Sequence, residues 1–254
     1  MTRIIAIANQ KGGVGKTTTA INLAACLAER HRRTLLVDAD PQGNATSGVG
    51  VRKNELEHSI YDLFVGSATA EECILRKVYK RLDVLPSHVN LSGAEIELLD
   101  MPRKEFILKE KLAPVLKSYD YVIIDCPPSL SMLTLNAMTT AQSILVPLQC
   151  EFYALEGLSQ LIYTVNLVKE RLNPDLVIDG VVFTMYDSRT KLSAQVVENV
   201  RVNLKQRIYR TVIPRNVRLA EAPSYGEPVI VYDSKSAGAE SYRKLAKEVM
   251  ERKK

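Results

Sequence analysis

A run rich in glycine, lysine and threonine lies near the start of the chain, and its residue types suit the binding of a polyphosphate. The run reads Lys11-Gly12-Gly13-Val14-Gly15-Lys16-Thr17-Thr18. Its glycines permit backbone conformations in which successive N–H groups turn inward around phosphate oxygens at a helix N-terminus. Lys16 would then contact the β- and γ-phosphates, and the Thr17 hydroxyl would bind Mg²⁺. The run predicts a nucleoside triphosphate site, although a glycine-rich turn can also serve packing alone.

The loop departs from the common phosphate-binding pattern at one position. That pattern has glycine where this chain has Gln10, and the chain adds a second lysine, Lys11, beside the glycines. Within one subunit Lys16 already supplies the lysine that contacts phosphate. A lysine on the outer rim is therefore suited to reach the nucleotide of a second copy, as an arginine finger supplied in trans does. The spacing suggests a homodimer in which both lysines take part in catalysis.

Three aspartates follow two apolar runs and complete the predicted site. Asp125 follows residues 121–124, while Asp38 and Asp40 follow residues 34–37. An aspartate at the tip of a parallel strand beside a phosphate loop is placed to hold the Mg²⁺ shell. We predict that Asp125 supports the metal, that Asp38 does so through the water shell, and that Asp40 orients the attacking water. Asp38 or Asp40 could instead cap a loop.

Short apolar runs alternate with stretches of helical spacing, and these elements must position the site. The runs are continuous rather than alternating, which is typical of strands buried on both faces. Strands that alternate with helices form right-handed crossovers. We therefore expect an α/β fold with a mostly parallel central sheet flanked by helices. The predicted strands cover residues 4–8, 34–37, 82–85, 121–124, 143–148, 177–184 and 211–213, and helical spacing marks residues 20–27 and 155–168.

The remaining segments give weaker patterns. Short helices are predicted near residues 60–64 and 71–76, and one longer helix over residues 104–117. The apolar stripe of residues 242–250 predicts a helix docked on the sheet. The chain has 254 residues, 46% of them hydrophobic, and no long linker. We expect a single ATPase domain over residues 1–254, because a chain of this size can bury one core without disulfides or metals.

Composition argues against export and membrane insertion. No apolar run reaches the roughly 18 residues of a membrane span, and Met1 leads directly into a strand-like run without a charged segment or cleavage pattern. We expect a cytoplasmic protein. Its four cysteines lack paired spacing and are predicted to be buried free thiols in a reducing compartment. They are Cys26, Cys73, Cys126 and Cys150.

Positive charge is concentrated in one segment of the second half. Between Tyr186 and Arg218 there are eight basic and two acidic residues, a surplus of six charges against +5 for the whole chain. Such a run can form a surface for nucleic acid, but it can equally be a solvated helix face. Charge alone leaves both interpretations open.

Taken together, these motifs resemble those of the ParA/Soj chromosome-partitioning ATPases. The resemblance rests on the phosphate loop, on Asp-Ala-Asp-Pro-Gln-Gly-Asn at 38–44 and on Ile-Asp-Cys-Pro-Pro-Ser at 124–129, and it continues through 151–157 and 213–223. The loop alone marks a wider superfamily that includes MinD, nitrogenase iron protein and arsenite-pump ATPases. The later segments narrow the resemblance to the Soj-like branch. It implies a P-loop NTPase fold of the deviant Walker A type over essentially the entire chain.

The resemblance also assigns roles to individual residues. Lys11 matches the signature lysine that contacts nucleotide across an ATP-sandwich dimer, and Asp40 the residue needed for hydrolysis. Pro214 and Asn216 match positions that hold adenine. The arginines with which the ATP-bound dimer grips DNA, without reading its sequence, correspond to Arg189 and Arg218. This agrees with the basic segment, because phosphate contacts by arginine are independent of sequence. The chain is thus predicted to be a weak Mg²⁺-dependent ATPase with ATP and Mg²⁺ as cofactors.

A macromolecular partner follows from the same resemblance. The family partner is a ParB-type protein at centromere-like DNA sites, which stimulates the slow ATPase, and the ATP-bound dimer associates with the nucleoid. Many plasmid members carry an N-terminal helix-turn-helix extension that binds operators. Here the phosphate loop begins at Lys11, so we expect no such extension and no operator binding.

Two other functions compete with this one. A membrane-cycling ATPase like MinD inserts a C-terminal amphipathic helix into lipid, but the end of this chain has Lys and Arg without a bulky apolar face. A redox or metabolic enzyme like nitrogenase iron protein or dethiobiotin synthetase is the second alternative. It would need Cys126 or Cys150 for a cluster, or a separate substrate pocket, and the sequence contains no motif for such a substrate.

Overall fold

A single eight-stranded sheet runs through the part of the chain that the computed structural model describes, residues 2–151 and 154–252. Neighbouring strands pair in parallel except for β3 and β4, which form an antiparallel hairpin. The prediction of an α/β fold with a mostly parallel sheet is confirmed. The strands are β1 (Arg3–Ile7), β2 (Thr34–Asp38), β3 (Leu75–Tyr79), β4 (Leu82–Leu85), β5 (Tyr121–Asp125), β6 (Ser143–Gln149), β7 (Val177–Tyr186) and β8 (Ile208–Pro214).

Helices connect most of these strands. None of the helices in the described residues is long and apolar enough to cross a membrane. They are α1 (Lys16–Glu29), α2 (Asn44–Ser47), α3 (Ile60–Val65), α4 (Ala70–Cys73), α5 (Leu91–Glu97), α6 (Ile107–Leu112), α7 (Met132–Thr140), α8 (Ala154–Arg171), α9 (Lys191–Asn203), α10 (Val217–Glu221), α11 (Val229–Tyr232) and α12 (Ala237–Glu251).

The order of the strands brings the predicted site residues to one edge of the sheet. That order is β3-β4-β2-β5-β1-β6-β7-β8, so β5 lies between β2 and β1. In the register of these strands Asp125 pairs with Asp38 on one side and with Ile7 on the other. The carboxyl ends of β1, β2 and β5 therefore meet, and the loops that follow them form a crevice of the kind in which α/β proteins bind ligands.

Helices pack on both faces of the sheet and bury its apolar side chains. Leu27 of α1 and Leu245 of α12 are fully buried in the cluster on one face. Leu133 of α7 and Leu158 of α8 belong to the cluster on the other face. The docked helix predicted for residues 242–250 is thus confirmed as part of α12, and all four cysteines are buried free thiols as predicted.

Two predicted helices differ from the structure. The helix predicted over residues 104–117 is broken into 3₁₀ turns at Lys104–Phe106 and Leu116–Ser118 with only α6 between them. Pro114 accounts for the end of α6, because proline lacks the N–H that a continuing helix needs. The helix predicted near residues 71–76 ends at Cys73, and β3 begins at Leu75. There the pairing of β3 with β4 prevails over local helical spacing.

Candidate nucleotide site

The phosphate loop connects β1 to α1 and has the backbone conformation that its glycines permit. Gly13 and Gly15 have φ values of 73° and 87°, in the left-handed region that other residues rarely adopt. Gly15 is the N-cap of α1, and no side chain there accepts a hydrogen bond from the first helical turn. The N–H groups of that turn lack intrahelical partners, so they can donate to an anion at the positive end of the helix dipole.

Neighbouring strands hold this loop in place. The Thr184 hydroxyl near the end of β7 donates to the carbonyl of Val14 at 2.8 Å. The Asn9 amide donates to the Pro147 carbonyl in β6 at 2.7 Å, and its oxygen accepts from the N–H of Lys11 at 3.1 Å. The loop is therefore tied to two strands before any ligand binds.

Lys16 lies inside the loop, where a nucleotide phosphate would be. Its side chain is almost completely buried, and its Nζ donates to the Lys11 carbonyl at 2.9 Å. Burial lowers the pKa of Lys16, while the carboxylates of Asp125 and Asp40 act in the opposite direction. The structure thus brings Lys16 close to two of the predicted acidic residues.

Lys11 has a different environment on the outer rim of the loop. Its side chain is 42% exposed and forms an ion pair with Glu151 of the same chain. Glu151 begins the segment 151–157 of the sequence resemblance, of which Phe152 and Tyr153 lie outside the described residues. The contact of Lys11 with a second copy stays a prediction.

Asp125 is fully buried at the end of β5, and neither of its carboxylate oxygens has a hydrogen-bond partner among the described residues. Burial, followed by the charge of Asp38, raises the pKa of Asp125 well above its usual range. The nearby Thr17 hydroxyl, which does not reach hydrogen-bond geometry, and the charge of Lys16 act in the opposite direction. A buried carboxylate without a partner is costly. Its oxygens and the Thr17 hydroxyl fit Mg²⁺, a hard cation that takes one or two protein oxygens together with phosphates and water.

Asp38 is equally buried, but its oxygens are occupied. They accept hydrogen bonds from the N–H and hydroxyl of Thr46, both at 2.7 Å, and from the N–H of Asp40 at 3.2 Å. Burial raises the pKa of Asp38 to about 6 against these hydrogen bonds. Asp38 thus holds the loop that follows β2, and its predicted support of the metal stays a prediction.

Asp40 lies in that loop and belongs to the same group of charges. It is 8% exposed, and its Oδ1 accepts from the N–H of Gln42 at 2.9 Å. Its carbonyl accepts from the Ser87 hydroxyl at 2.7 Å. The charge of Asp40 helps to raise the pKa of both Asp38 and Asp125. The structure therefore brings the three predicted aspartates together, with Asp40 nearest to solvent.

A cavity of about 390 Å³ opens beside the loop and contains both residues predicted to hold adenine. Its volume lies in the range of small-molecule sites, roughly 300–1,000 Å³. Its lining consists of the loop and α1, the ends of β7 and β8, and residues of α10 and α12. Those residues are Gly15, Thr18, Thr184, Met185, Ile213, Pro214, Arg215, Asn216, Val217, Leu219, Ala220 and Tyr242.

The two predicted DNA-binding arginines follow the adjacent strands β7 and β8. Arg189 forms an ion pair with Asp187 at 2.6 Å and is 84% exposed. Arg218, in α10, pairs with Glu221 at 2.9 Å and with Asp233 at 3.2 Å. Both arginines therefore lie at the edge of the sheet that holds the nucleotide cavity, and acidic residues of the same chain partly balance their charge.

The sequence interpretation missed three residues of the site. Thr184 anchors the phosphate loop, Thr46 occupies the oxygens of Asp38, and Glu151 pairs with Lys11. Thr184 ends a predicted strand and Glu151 lies in a segment of the family resemblance. The sequence therefore marked both segments but assigned no function to either residue. Thr46 carried none, because its contact with Asp38 depends on how the loop after β2 folds back.

Known proteins are similar to this chain over nearly its whole length. A family model described as an AAA domain matches residues 2–178. The sporulation initiation inhibitor protein Soj of Bacillus subtilis is 56% identical over 249 residues, 98% of either chain. The chromosome partitioning protein ParA of Myxococcus xanthus is 54% identical over 98% of this chain and 88% of its own. A structure named cobyrinic acid a,c-diamide synthase from Mycobacterium smegmatis, with bound ATP analog and magnesium, superposes with a TM-score of 0.88 at 39% identity, covering 98% of this chain and 95% of that one.

Proposed function

The chain belongs to the ParA/Soj family of chromosome-partitioning ATPases, and from that premise we propose that ATP binding converts it into a dimer that holds DNA until hydrolysis releases it. One observation carries the proposal: the cavity predicted to hold adenine and the surface predicted to bind DNA share the loop between β8 and α10. Asn216 lines the cavity, and its Oδ1 accepts a hydrogen bond from the N–H of Arg218 at 3.0 Å. A base in the cavity would thus contact the residue that caps α10, the helix that carries Arg218.

The resident ligands in this proposal are ATP and Mg²⁺. Residues 11–18 hold the phosphates through backbone N–H groups and Lys16, while Pro214 and Asn216 hold the base. Thr17 and Asp125 would hold the metal, and Asp38 would support it. Bound Mg²⁺ supplies positive charge that offsets the charge developing on the phosphates. Asp40, the least buried of the three aspartates, orients the attacking water.

Dimerisation requires Lys11 to change partners. In the described chain Lys11 is paired with Glu151, and both side chains are partly exposed. Exposed ion pairs contribute little to stability. A phosphate group of the nucleotide bound to the second copy can therefore displace Glu151 from Lys11. Each copy would then complete the site of the other, and the triphosphate would hold the two copies together.

We expect DNA binding because the dimer joins two copies of a surface that binds DNA weakly on its own. Arg189 and Arg218 of one copy face acidic neighbours of their own chain, which weakens their attraction for phosphate. Two such surfaces joined in one body bind with much higher avidity than either alone. Loss of the γ-phosphate removes the bridge between the copies, so the dimer opens and DNA is released. A ParB-type partner would accelerate that step, and the nucleoid would be the site of action.

A MinD-like membrane cycle is less compatible with the C-terminal helix. Tyr242, Leu245 and Val249 of α12 are buried against α1 and the sheet. Insertion into lipid would expose core of the protein that this apolar face now covers. Flotation with anionic liposomes in the presence of ATP separates the two functions, and we expect the protein to stay with the unbound fraction.

The proposal is tested by retention of a DNA duplex of mixed sequence with ATP and with ADP. We expect Lys11→Ala and Arg218→Glu to abolish the ATP-dependent increase in binding and Asp40→Ala to prolong it. Lys109→Glu, which reverses the charge of an exposed residue on α6, is a matched control that should leave the increase intact. ATP-dependent binding of normal strength by the Arg218→Glu protein would overturn the assigned surface. An Asp40→Ala protein that stays monomeric with ATP would overturn the dimer.

A further inference from the structure

Ion pairs distinguish two of the eight basic residues between Tyr186 and Arg218, a segment that the structure describes throughout. The two that are paired, Arg189 and Arg218, are the two predicted to bind DNA. Their partners, which we name the clamp carboxylates, are Asp187, Glu221 and Asp233. The six basic residues that form no ion pair with any described residue are Lys191, Arg201, Lys205, Arg207, Arg210 and Arg215.

The contact of Arg189 with Asp187 uses the donors that a DNA phosphate would need. Nε of Arg189 donates to one oxygen of Asp187 at 2.9 Å, and Nη2 donates to the other at 2.6 Å. Arginine binds phosphate groups with the same two parallel hydrogen bonds. Asp187 therefore occupies an edge of the guanidinium group that could otherwise bind phosphate.

Asp187 is held by its own chain, whereas Arg189 extends into solvent. The Asp187 carbonyl accepts from the N–H and the hydroxyl of Thr190, the N-cap of α9, at 3.1 and 3.0 Å. The Asp187 side chain is 17% exposed, and that of Arg189 is 84% exposed. Arg189 can thus leave the carboxylate by rotation of its side chain alone.

Arg218 is held by two carboxylates. Its Nη1 donates to Glu221 of α10 at 2.9 Å, and its Nε lies 3.2 Å from an oxygen of Asp233. The Tyr232 hydroxyl donates to the same oxygen of Glu221 at 3.2 Å. Phosphate would therefore have to displace two partners to use both of these donors of Arg218.

The position of Asp233 is set by other elements than α10. The N–H of Asp233 donates to the Val229 carbonyl of α11 at 2.9 Å. The N–H of Val229 donates in turn to the side-chain oxygen of Asn22 in α1 at 2.7 Å. Asp233 is therefore attached to the core through α11 and α1, and its place does not depend on its contact with Arg218.

We propose that the clamp carboxylates are intramolecular competitors of DNA phosphate, which keep a single copy of the protein from holding DNA. The inference rests on the proposed function. Partly exposed ion pairs are weak, so DNA can displace them at a modest cost for each arginine. A single copy retains little affinity after that cost, whereas a dimer combines two surfaces. The clamp carboxylates thus make DNA binding depend on the dimer and favour release when the dimer opens.

Asp187→Asn and Asp233→Asn test the proposal, alone and combined. Asparagine keeps the size of the side chain and one oxygen, but it removes the negative charge. Affinity for a fluorescent DNA duplex of mixed sequence is measured by anisotropy with ADP at low salt. We expect a rise of about threefold for each variant and about tenfold for the combined variant. With ATP, DNA should be released more slowly from the combined variant once the nucleotide is exhausted.

Two controls separate the clamp from a general effect of charge. Glu227→Gln neutralises a partly exposed carboxylate in the turn before α11, which has no ion pair with a described residue, and it should change the affinity little. Asp233→Asn should have no effect in an Arg218→Ala protein, because the carboxylate acts only through that arginine. A rise that persists in the Arg218→Ala background would overturn the clamp. So would a rise in Glu227→Gln equal to that in Asp233→Asn.

The sign of the change is equally decisive. Binding with ADP that stays at the wild-type level in the combined variant, or undetectable in both proteins, would overturn the proposal. A fall in affinity would show that the carboxylates orient the arginines for DNA, and it would overturn the proposal as well. Glu221→Gln, which keeps an acceptor for the Tyr232 hydroxyl, is a second variant should Asp233→Asn fail to fold. It should also raise the affinity.

The outcome for Arg218→Glu separates this inference from the proposed function. If Arg218→Glu loses the ATP-dependent increase while the combined variant binds DNA like wild-type protein with ADP, the clamp fails and the proposed function stands. If Arg218→Glu keeps the increase, the assigned DNA-binding surface itself fails.

Discussion

The carboxyl ends of β2 and β5 each carry a buried aspartate, but the two side chains differ in their hydrogen bonds. Asp38 and Asp125 pair in register on adjacent strands, and both are fully buried. Asp38 accepts three hydrogen bonds from the loop that follows it, whereas Asp125 has no partner among the described residues. Residue type, burial and strand position are equal, so the following loops account for the difference.

This difference teaches which carboxylate serves the fold and which serves a ligand. A carboxylate whose oxygens are satisfied by backbone and hydroxyl donors stabilises the conformation of its loop. One that is buried without donors costs stability until a cation arrives. Asp38 stabilises the loop that carries Asp40, and Asp125 is left open beside Thr17 and Lys16.

Asp125→Asn should have the largest effect and tests the open carboxylate. We expect Mg²⁺-dependent ATP hydrolysis to fall about a thousandfold, the upper end of the cost of losing one electrostatic stabiliser. The unliganded variant should nevertheless unfold about 2–4 °C higher, the equivalent of about 1 kcal/mol, because a buried carboxylate without a hydrogen-bond partner has gone. Steady-state hydrolysis and thermal unfolding are the two measurements.

Asp38→Asn is the matched control for this change. It should lower the unfolding temperature, because an amide nitrogen would face the N–H of Thr46. If both variants were stabilised, or both destabilised, the contrast between the two strand ends would be refuted.

Thr46→Val tests the satisfied carboxylate. Thr46 is fully buried; its hydroxyl donates to Asp38 and accepts from the N–H of Ser87 at 2.8 Å. Loss of both hydrogen bonds should reduce the free energy of unfolding by about 2 kcal/mol. Urea unfolding measures this, and Thr46→Ser, which keeps the hydroxyl, should retain most of the stability. An unchanged free energy in Thr46→Val would mean that Asp38 does not depend on this loop.

A pH titration of stability tests both carboxylates together. The pKa of Asp38 is raised to about 6 in the folded protein and is about 3.8 when unfolded, so the folded state binds the proton more tightly. The destabilising contribution is full above pH 6 and disappears as the pH falls towards the unfolded value. Between about pH 7 and about pH 5 part of this window is crossed, so protonation of Asp38 should raise the free energy of unfolding by an amount on the order of 1 kcal/mol.

The raised pKa of Asp125 acts in the same direction. Denaturant unfolding of the nucleotide-free protein at both pH values measures the gain, and the Asp125→Asn protein should gain less. A wild-type protein that loses stability over this range would contradict the directions of both pKa shifts.

Thr184→Val should have the smallest effect and extends the comparison to the loop itself. Its hydroxyl anchors the Val14 carbonyl from β7, so its loss should weaken ATP binding about fivefold, or about 1 kcal/mol, with little change in unfolding. Fluorescence titration with a labelled ATP analogue measures the affinity. Thr184→Ser is the control, and an affinity equal to wild type in Thr184→Val would show that the loop needs no anchor.

Much of the fold and of the site followed from local patterns. The alternation of continuous apolar runs with helical spacing indicated the parallel sheet. Lys16 was predicted in the loop after the first strand, and Asp40 and Asp125 at the ends of two others; the structure brings all three together. The family assignment from the motifs is confirmed by relatives that are more than half identical over nearly the whole chain. The roles given to Lys11, Arg189 and Arg218 stay predictions.

Other features depended on contacts between distant residues. The prediction of a helix over residues 104–117 gave too little weight to Pro114. The strand β3 forms because it pairs with β4. The ion pair of Lys11 with Glu151 likewise spans 140 positions.

The sequence by itself determined the order of buried strands and helices, the glycines that let the phosphate loop turn, and the residue types available for phosphate and metal. These follow from periodicity and backbone freedom, which are local properties. Only the tertiary structure decided that the oxygens of Asp38 are hydrogen-bonded while those of Asp125 are not, and that Lys11 pairs with Glu151. Those outcomes depend on burial and on which donors approach a side chain from other strands, and neither is fixed until the chain has packed.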